Sequence, residues 1–306
     1  MASVRALVFA YHDVGYECLR VLLDRGVNVV AVLTHADDPN ERVWFKSVAE
    51  LAHTHDVPVF TPEKIATTEW SERLRALAPD IIFSFYYRHM ISQEILRLAP
   101  LGAYNMHGSL LPKYRGRVPI NWAVLHGETE TGATLHAMVK RADAGDIVDQ
   151  ERVSIGPDET AHQVFVKVIA AARLTLERQL GNLLAGRAPR RAQDETQATY
   201  FGGRKPDDGR IDWRQNARAI FNLVRAVTHP YPGAFTDYDG KRLLIWQARP
   251  VDAAADAPGA VQSAAPLRVS TGEGCLEIIE WQWQDDPKPS RGDGHGLRAG
   301  FVLGAS

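Results

Sequence analysis

Up to about residue 190, short apolar runs alternate with stretches of helical period, and few folds accept that pattern. Val4 to Ala10 reads as a buried strand. Val14, Cys18, Val21 and Leu22 then share a helical face, with Asp13 as the expected cap and Gly26 where a helix C-terminus favours glycine. Val27 to Leu33 is a second strand, and Trp44, Val48, Leu51 and Ala52 mark a second helical face. Val57 to Phe60, a helical face at Trp70, Leu74 and Leu77, and a main strand at Asp80 to Phe85 complete the series. Strands buried on both faces read as continuous apolar runs, and crossover helices join them in parallel. The expectation is an α/β, doubly wound, Rossmann-like sheet with helices on both faces.

Beyond Leu101 the pattern loosens. Gly102 to His107 looks like a strand with a polar end, followed by a loop with Pro112, Gly116 and Pro119. Thr131 to Val139 alternates as a half-buried strand does, and Phe165, Val168, Ile169, Ala172, Leu176 and Leu180 define a long helix ending before Gly186. The polar stretch Arg187 to Gln197 reads as a linker. These marks predict a first domain over 1–190, a linker over 191–203 and a smaller domain over 204–306. In the last, Trp213, Ala217, Ile220, Phe221 and Val224 form an amphipathic face. Short β-like runs follow near 234–238, 243–246, 267–269 and 276–279, as in a small β-barrel. The Gly- and Asp-rich end from Asp285 to Ser306 is expected to be loosely ordered.

Composition narrows the classes. A chain of 306 residues, 45% hydrophobic and 24% charged, builds its core without staples. Its net charge of -2 gives no general pull toward phosphate backbones or acidic membranes. Residues 201–306 hold 13 basic and 13 acidic side chains, so the second domain is no basic appendage. No nucleic-acid partner is therefore expected. Cys18 and Cys275 stand far apart in no metal-binding spacing, which suits a reducing compartment. With neither a secretory signal at the start nor an apolar run long enough for a membrane span, the expected location is the cytoplasm. Nothing in the sequence marks an oligomeric state.

The informative stretch is Tyr104-Asn105-Met106-His107-Gly108-Ser109-Leu110-Leu111-Pro112-Lys113-Tyr114-Arg115-Gly116. Ligands of open α/β sheets sit beyond the carboxyl ends of strands. Asn105 and His107, two residues apart at such an end, share one strand face. An imidazole can move a proton near neutral pH, and an asparagine amide can donate to a developing oxyanion. Alone, an Asn-x-His pair is more often structural than catalytic. A second segment shifts that balance: Arg141-Ala142-Asp143-Ala144-Gly145-Asp146 places a carboxylate on a glycine turn after a predicted strand. If that turn meets the end of the His107 strand, Asp143 can fix the tautomer of the ring. Taken by itself, Asp143 is as readily an ordinary turn aspartate.

Of the other histidines, His12 stands near the first strand end and can line a pocket. His35 and Asp37, in the loop after the second strand, are expected in solvent rather than in a ligand contact, which is the lesser alternative, and His53, His55, His126 and His162 on surfaces or within helices. There is no HExxH, CxxC, GxGxxG, P-loop or GxSxG, which removes the usual zinc, dinucleotide, triphosphate and serine-hydrolase signals. No metal is expected.

The stretch from Asn105 to Gly116, with the later Asp143-Ala144-Gly145-Asp146, closely resembles formyltransferases that use 10-formyltetrahydrofolate. The resemblance implies a Rossmann-like domain followed by an OB-like barrel. It also implies a catalytic set of Asn105, His107 and Asp143. The folate would lie along His89, Met90 and Ile91, near Arg117, and against Val139, Lys140, Arg141, Ala142 and Asp143, largely through backbone groups. Arg117 taken alone can also be a surface charge. Phe9 to Asp13, Phe83 to His89, Met138 to Gly145 and Pro230 to Phe235 are similar to the branch that formylates the 4-amino group of UDP-4-amino-4-deoxy-L-arabinose in lipid A modification and polymyxin resistance. That branch implies a UDP-amino-sugar partner. Its bifunctional members continue into a decarboxylating dehydrogenase domain that this sequence lacks, so a stand-alone formyltransferase is expected.

Another 4-amino sugar nucleotide would fit the same site, and two further rivals stand beside this reading. Methionyl-tRNA formyltransferases share the catalytic residues but carry a basic loop after the second strand, whereas Thr34 to Arg42 here is acidic. A folate- or nucleotide-binding module without catalysis would need no proton-moving set.

Overall fold

The computed structural model of the protein describes residues 3–37, 43–292, 294 and 296–304. The chain divides into two compact units. The first comprises Met1–Pro119, Glu130–Ser154 and Val166–Phe201, and the second Ile120–Thr129, Ile155–Phe165 and Gly202–Ser306.

The first unit is a seven-stranded sheet. In chain order its elements are β1 (Arg5–Ala10), α1 (His12–Asp24), β2 (Asn28–Leu33), α2 (Val48–His53), β3 (Val59–Phe60), α3 (Thr68–Ala76), β4 (Ile81–Phe85), α4 (Gln93–Leu96), β5 (Ala103–His107) and β6 (Arg115–Gly116). After α5 (Pro119–Leu125), which falls almost wholly in the second unit, come β7 (Glu130–Ala137), β8 (Ile147–Ser154), α6 (Ala161–Leu184), whose first turn also falls in the second unit, and β9 (Tyr200–Phe201). The strand order is β3-β2-β1-β4-β5-β7-β8. Pairing is parallel from β3 to β5, as expected from their apolar runs, and antiparallel for β5–β7 and β7–β8. On one side of this sheet Leu7, Phe9, Ala31, Leu33, Leu74, Ile82 and Ile95 form a buried cluster. Each Leu, Ile or Phe among them contributes about 1.5–3 kcal/mol by leaving water.

Local details refine several expectations. The N-cap of α1 is Tyr11, without a side-chain bond, and Asp13 lies in the first turn, where its charge faces the helix N-terminus. Gly26 does follow the helix in a left-handed conformation. Strand β8, with Asp149, Gln150, Glu151 and Arg152 in its middle, escaped the sequence reading because an edge strand need not be apolar. The polar stretch read as a linker packs into the first unit, where β9 pairs with β6.

In the second unit, α7 (Ala217–Val227) is capped by Asn216, whose Oδ1 accepts from the N–H of Ala219 at 2.8 Å. The strands are β10 (Ala234–Tyr238), β11 (Lys241–Val251), β12 (Val261–Ala264), β13 (Leu267–Ser270), β14 (Cys275–Trp283) and β15 (Ser290–Arg291). They form an antiparallel sheet in the order β10-β11-β14-β13-β12, with β15 on β14. Trp281, Phe235, Ile245 and Leu276 are buried in it. The closing segment is tied down at particular points although most of its described residues are exposed: Leu297 and Leu303 are buried, and the N–H of Leu303 donates to the carbonyl of Gly259 at 2.8 Å. Asp293, His295, Ala305 and Ser306 of that segment lie outside the described residues, as does the 38–42 part of the acidic loop.

The β7–β8 connection depends on one close backbone approach. A Cβ on Gly145 would stand 1.9 Å from the carbonyl oxygen of Ala137, so only glycine lets this connection fold back on its own strand. Gly145→Ala is expected to cost about 2 kcal/mol or more, read as a lower urea midpoint at unchanged m. A loss under about 0.5 kcal/mol, the usual size for a neutral surface change, would show that the turn relaxes freely.

Candidate active site

Strand β5 lies between β4 and β7, so its carboxyl end is flanked on both sides. Asn105 pairs with Ser84 of β4 and His136 of β7, and His107 with Thr134 of β7. His107 is 6% exposed. Its Nε2 stands 2.8 Å from the carbonyl oxygen of Tyr114, and only an N–H can serve a carbonyl, so Nε2 carries a proton. Its Nδ1 stands 3.6 Å from Oδ1 of Asp143. In the neutral ring, Nδ1 is therefore the basic nitrogen.

Asp143 reaches the site from the turn after β7, in a left-handed conformation (φ 54°) that aspartate tolerates better than most residues. Its Oδ2 accepts the N–H of Gly116 at 2.9 Å. Its Oδ1 is 3.5 Å from both Asn105 Nδ2 and His136 Nε2. Burial would raise this carboxyl group, but the His107 and His136 rings and the Gly116 N–H outweigh it and hold it well below the usual carboxylate range. The two segments singled out in the sequence thus converge: Asn105, His107 and Asp143 share one site.

His136 is a fourth member that sequence reasoning missed. Its Nδ1 is 2.9 Å from the carbonyl oxygen of Ala137, and its Nε2 is 3.1 Å from Asn105 Nδ2. In the neutral ring with Nδ1–H donating, Nε2 accepts from the Asn105 amide and orients it; in the protonated ring the same nitrogen turns an N–H toward Asp143. The strand read as half-buried is buried on both faces beyond Glu130, so nothing in its alternation marked His136.

The positions expected to meet folate lie on the segments that follow β4, β6 and β7. His89 and Met90 are exposed, Met90 to 64%, and Ile91 is buried. Arg117 is exposed, with its backbone N–H on the carbonyl of Phe201 at 3.0 Å. Val139, Lys140, Arg141 and Ala142 are exposed, and the Arg141 guanidinium pairs with Glu195 at 2.9 Å and lies over the Tyr200 ring.

A second group of rings stands at the carboxyl ends of β1, β2 and β4, where the strand order reverses between β1 and β4. His12 stacks on Phe45 at 4.1 Å, and His35 on Tyr87 at 4.3 Å. Arg88 covers the Tyr11 ring. His35 is not in solvent as expected; its Nε2 accepts the N–H of Arg88 at 3.0 Å, and burial, with His89 and Arg88 nearby, lowers its pKa to about 4. The Tyr87 hydroxyl is buried without a hydrogen-bond partner, and its pKa is pushed up to about 12.

The profile described as "Formyl transferase" matches residues 7–178, and "Formyl transferase, C-terminal domain" matches 204–290. The chain belongs to the formyl transferase family. Among solved structures, WlaRD, a sugar 3N-formyl transferase with dTDP and 5-N-formyl-THF, shares 17% identity at a TM-score of 0.70, covering 94% of this chain and 100% of its own. The N-formyltransferase from Helicobacter canadensis, in complex with folinic acid and dTDP-3-aminofucose, shares 19% at 0.70, covering 90% and 98%. The methionyl-tRNA formyltransferase from Clostridium thermocellum shares 18% at 0.55, covering 81% and 93%. At these identities the likeness establishes a common fold. This formyltransferase has no helix, among the described residues, long and apolar enough to cross a membrane, and no cluster there that could hold a metal.

The depressed carboxyl group of Asp143 has a consequence for stability. A group whose folded pKa lies below its unfolded value of about 3.9 stabilises the fold above that pH and loses this contribution as pH falls. Melting temperatures measured from pH 7 down to pH 3 should fall more steeply for the native protein than for Asp143→Asn. Parallel curves would mean that the carboxylate is not held in this way.

Proposed function

We propose that the protein transfers the formyl group of 10-formyltetrahydrofolate to the 4-amino group of UDP-4-amino-4-deoxy-L-arabinose, through Asn105, His107 and Asp143. The observation that carries the reading is the convergence of these three side chains, drawn from two distant segments, with Asp143 within 3.6 Å of both Asn105 and His107. The sugar-nucleotide ligands of WlaRD and of the Helicobacter canadensis enzyme support an amino-sugar acceptor, and both match this chain over nearly its whole length. The rings at the β1, β2 and β4 ends add a surface suited to a nucleobase, with Arg88 as a nearby cation.

In this reading the sugar amine forms a bond to the formyl carbon, the carbonyl oxygen takes the electron pair, and the bond to N10 of the folate then breaks. The Asn105 amide stabilises the oxyanion by exchanging its long 3.5 Å contact with Asp143 for the substrate oxygen. Nε2 of His107 is committed to the Tyr114 carbonyl, so proton exchange uses Nδ1, on the side where Asn105 and Asp143 meet. The proton lost by the amine returns to N10. Asp143, held anionic, stabilises the imidazolium between the two steps. Folate would lie along His89 to Ile91, near Arg117 and against Val139 to Asp143, mainly on backbone groups. The proposed compartment is the cytoplasm, where both substrates would be met.

His107→Ala should retain its fold and lose at least about a hundredfold in formyl transfer. Near-native turnover would remove His107 from the chemistry. With 10-formyltetrahydrofolate as donor, competition between the UDP-amino sugar, a dTDP-3-amino sugar and methionyl-tRNA should yield the formylated UDP-sugar. Preference for the dTDP-sugar would change the acceptor, and preference for the tRNA would overturn the sugar reading.

A further inference from the structure

The catalytic set is braced from outside by residues that touch no reacting atom. Arg115 sits between two supports of the site: the Tyr114 carbonyl receives His107 Nε2, and the Gly116 N–H binds Asp143 Oδ2. The Arg115 side chain is fully buried. It makes a two-point contact with Glu195, with Nη2 to Oε1 at 2.7 Å and Nη1 to Oε2 at 3.1 Å. Its Nε and Nη2 also reach Oε1 of Gln193 at 3.1 and 2.7 Å, and Nη1 donates to the Tyr200 hydroxyl at 2.5 Å. The other end of the Gln193 amide turns toward the aspartate turn, where Nε2 donates to the carbonyls of Asp143 at 2.8 Å and Gly145 at 2.7 Å.

We infer that Gln193 is a positioning residue for formyl transfer, a single amide that locks the Asp143 turn to the Arg115 segment. The device rests on the reading of Asn105, His107 and Asp143 as the catalytic set. Asp143 needs such a brace. Its backbone is left-handed, and its carboxylate is held at 3.5–3.6 Å from three partners, distances at which small rotations alter the field on His107. The amide is suited to the task because it accepts at one end and donates at the other. Glutamate keeps the volume and the bond to Arg115, but it sets an acceptor against the two carbonyls.

Gln193→Glu separates positioning from mere packing of the 191–201 segment. If the residue only holds that segment through Arg115, the variant behaves as the native protein. As a positioning residue, it loses about ten- to hundredfold in kcat, the scale of misplacing a reacting group by about 1 Å, with smaller changes in KM. In the Asp143→Asn background the same change should cost little more, because both act through one carboxylate. Histidine-selective nitrogen NMR needs no acceptor substrate. In it, the His107 ring signals of Gln193→Glu should move toward those of Asp143→Asn.

If Gln193→Glu does not fold, Gln193→Ala enters the same cycle. Native kcat and native His107 signals, or losses that add fully to those of Asp143→Asn, would overturn the inference. Should Asp143→Asn and His107→Ala themselves turn over at the native rate, the catalytic reading fails instead.

Discussion

A carboxylate taken out of water has to be surrounded by donors and positive charge, and much of the first unit is arranged around meeting that need at Asp143. The antiparallel pairing of β5 with β7 brings Asn105 beside His136 and carries the chain on to the aspartate turn. Gly145 closes that turn against Ala137, and the Gly116 N–H arrives from β6. The partners come from β5, β6, β7 and the turn that follows it, so the geometry of the site is a property of the fold rather than of one loop.

The parallel half of the sheet was legible in the sequence because strands buried on both faces must be apolar throughout. Val8, Phe9, Val32, Leu33 and Phe83 announce themselves in this way. The turn in direction at β7 was not legible, because the same alternation serves a strand of either sense. β8 was hidden by its charged middle, which an edge strand can present to water. The helix start at Tyr11 was missed because no side chain caps it.

Of the site, Asn105, His107 and Asp143 were singled out as candidates by residue type and joined into one set by the family resemblance, and the structure brings them together. His136, Arg115 and Gln193 could not. Arg115 and Gln193 are 78 residues apart, and Gln193 lies among polar neighbours that resemble a solvated connection. Partnerships of this kind depend on which loops meet, and hydrophobic period carries no information about that. His35 was misplaced for a related reason: a polar ring in a loop looks solvated until aromatic neighbours from the loops after β1 and β4 pack on it.

The two compact units are interleaved along the chain. Ile120–Thr129 and Ile155–Phe165 belong with the C-terminal residues although they are threaded between strands of the sheet. No single cut separates the halves. A fragment ending near Phe201 would carry two orphaned segments, and its complement would lack them. During synthesis the first unit can close its sheet while those segments await the last hundred or so residues of the chain. Exchange of the C-terminal part with a relative would therefore have to preserve complementarity to two internal insertions, so this half of the protein cannot diverge alone.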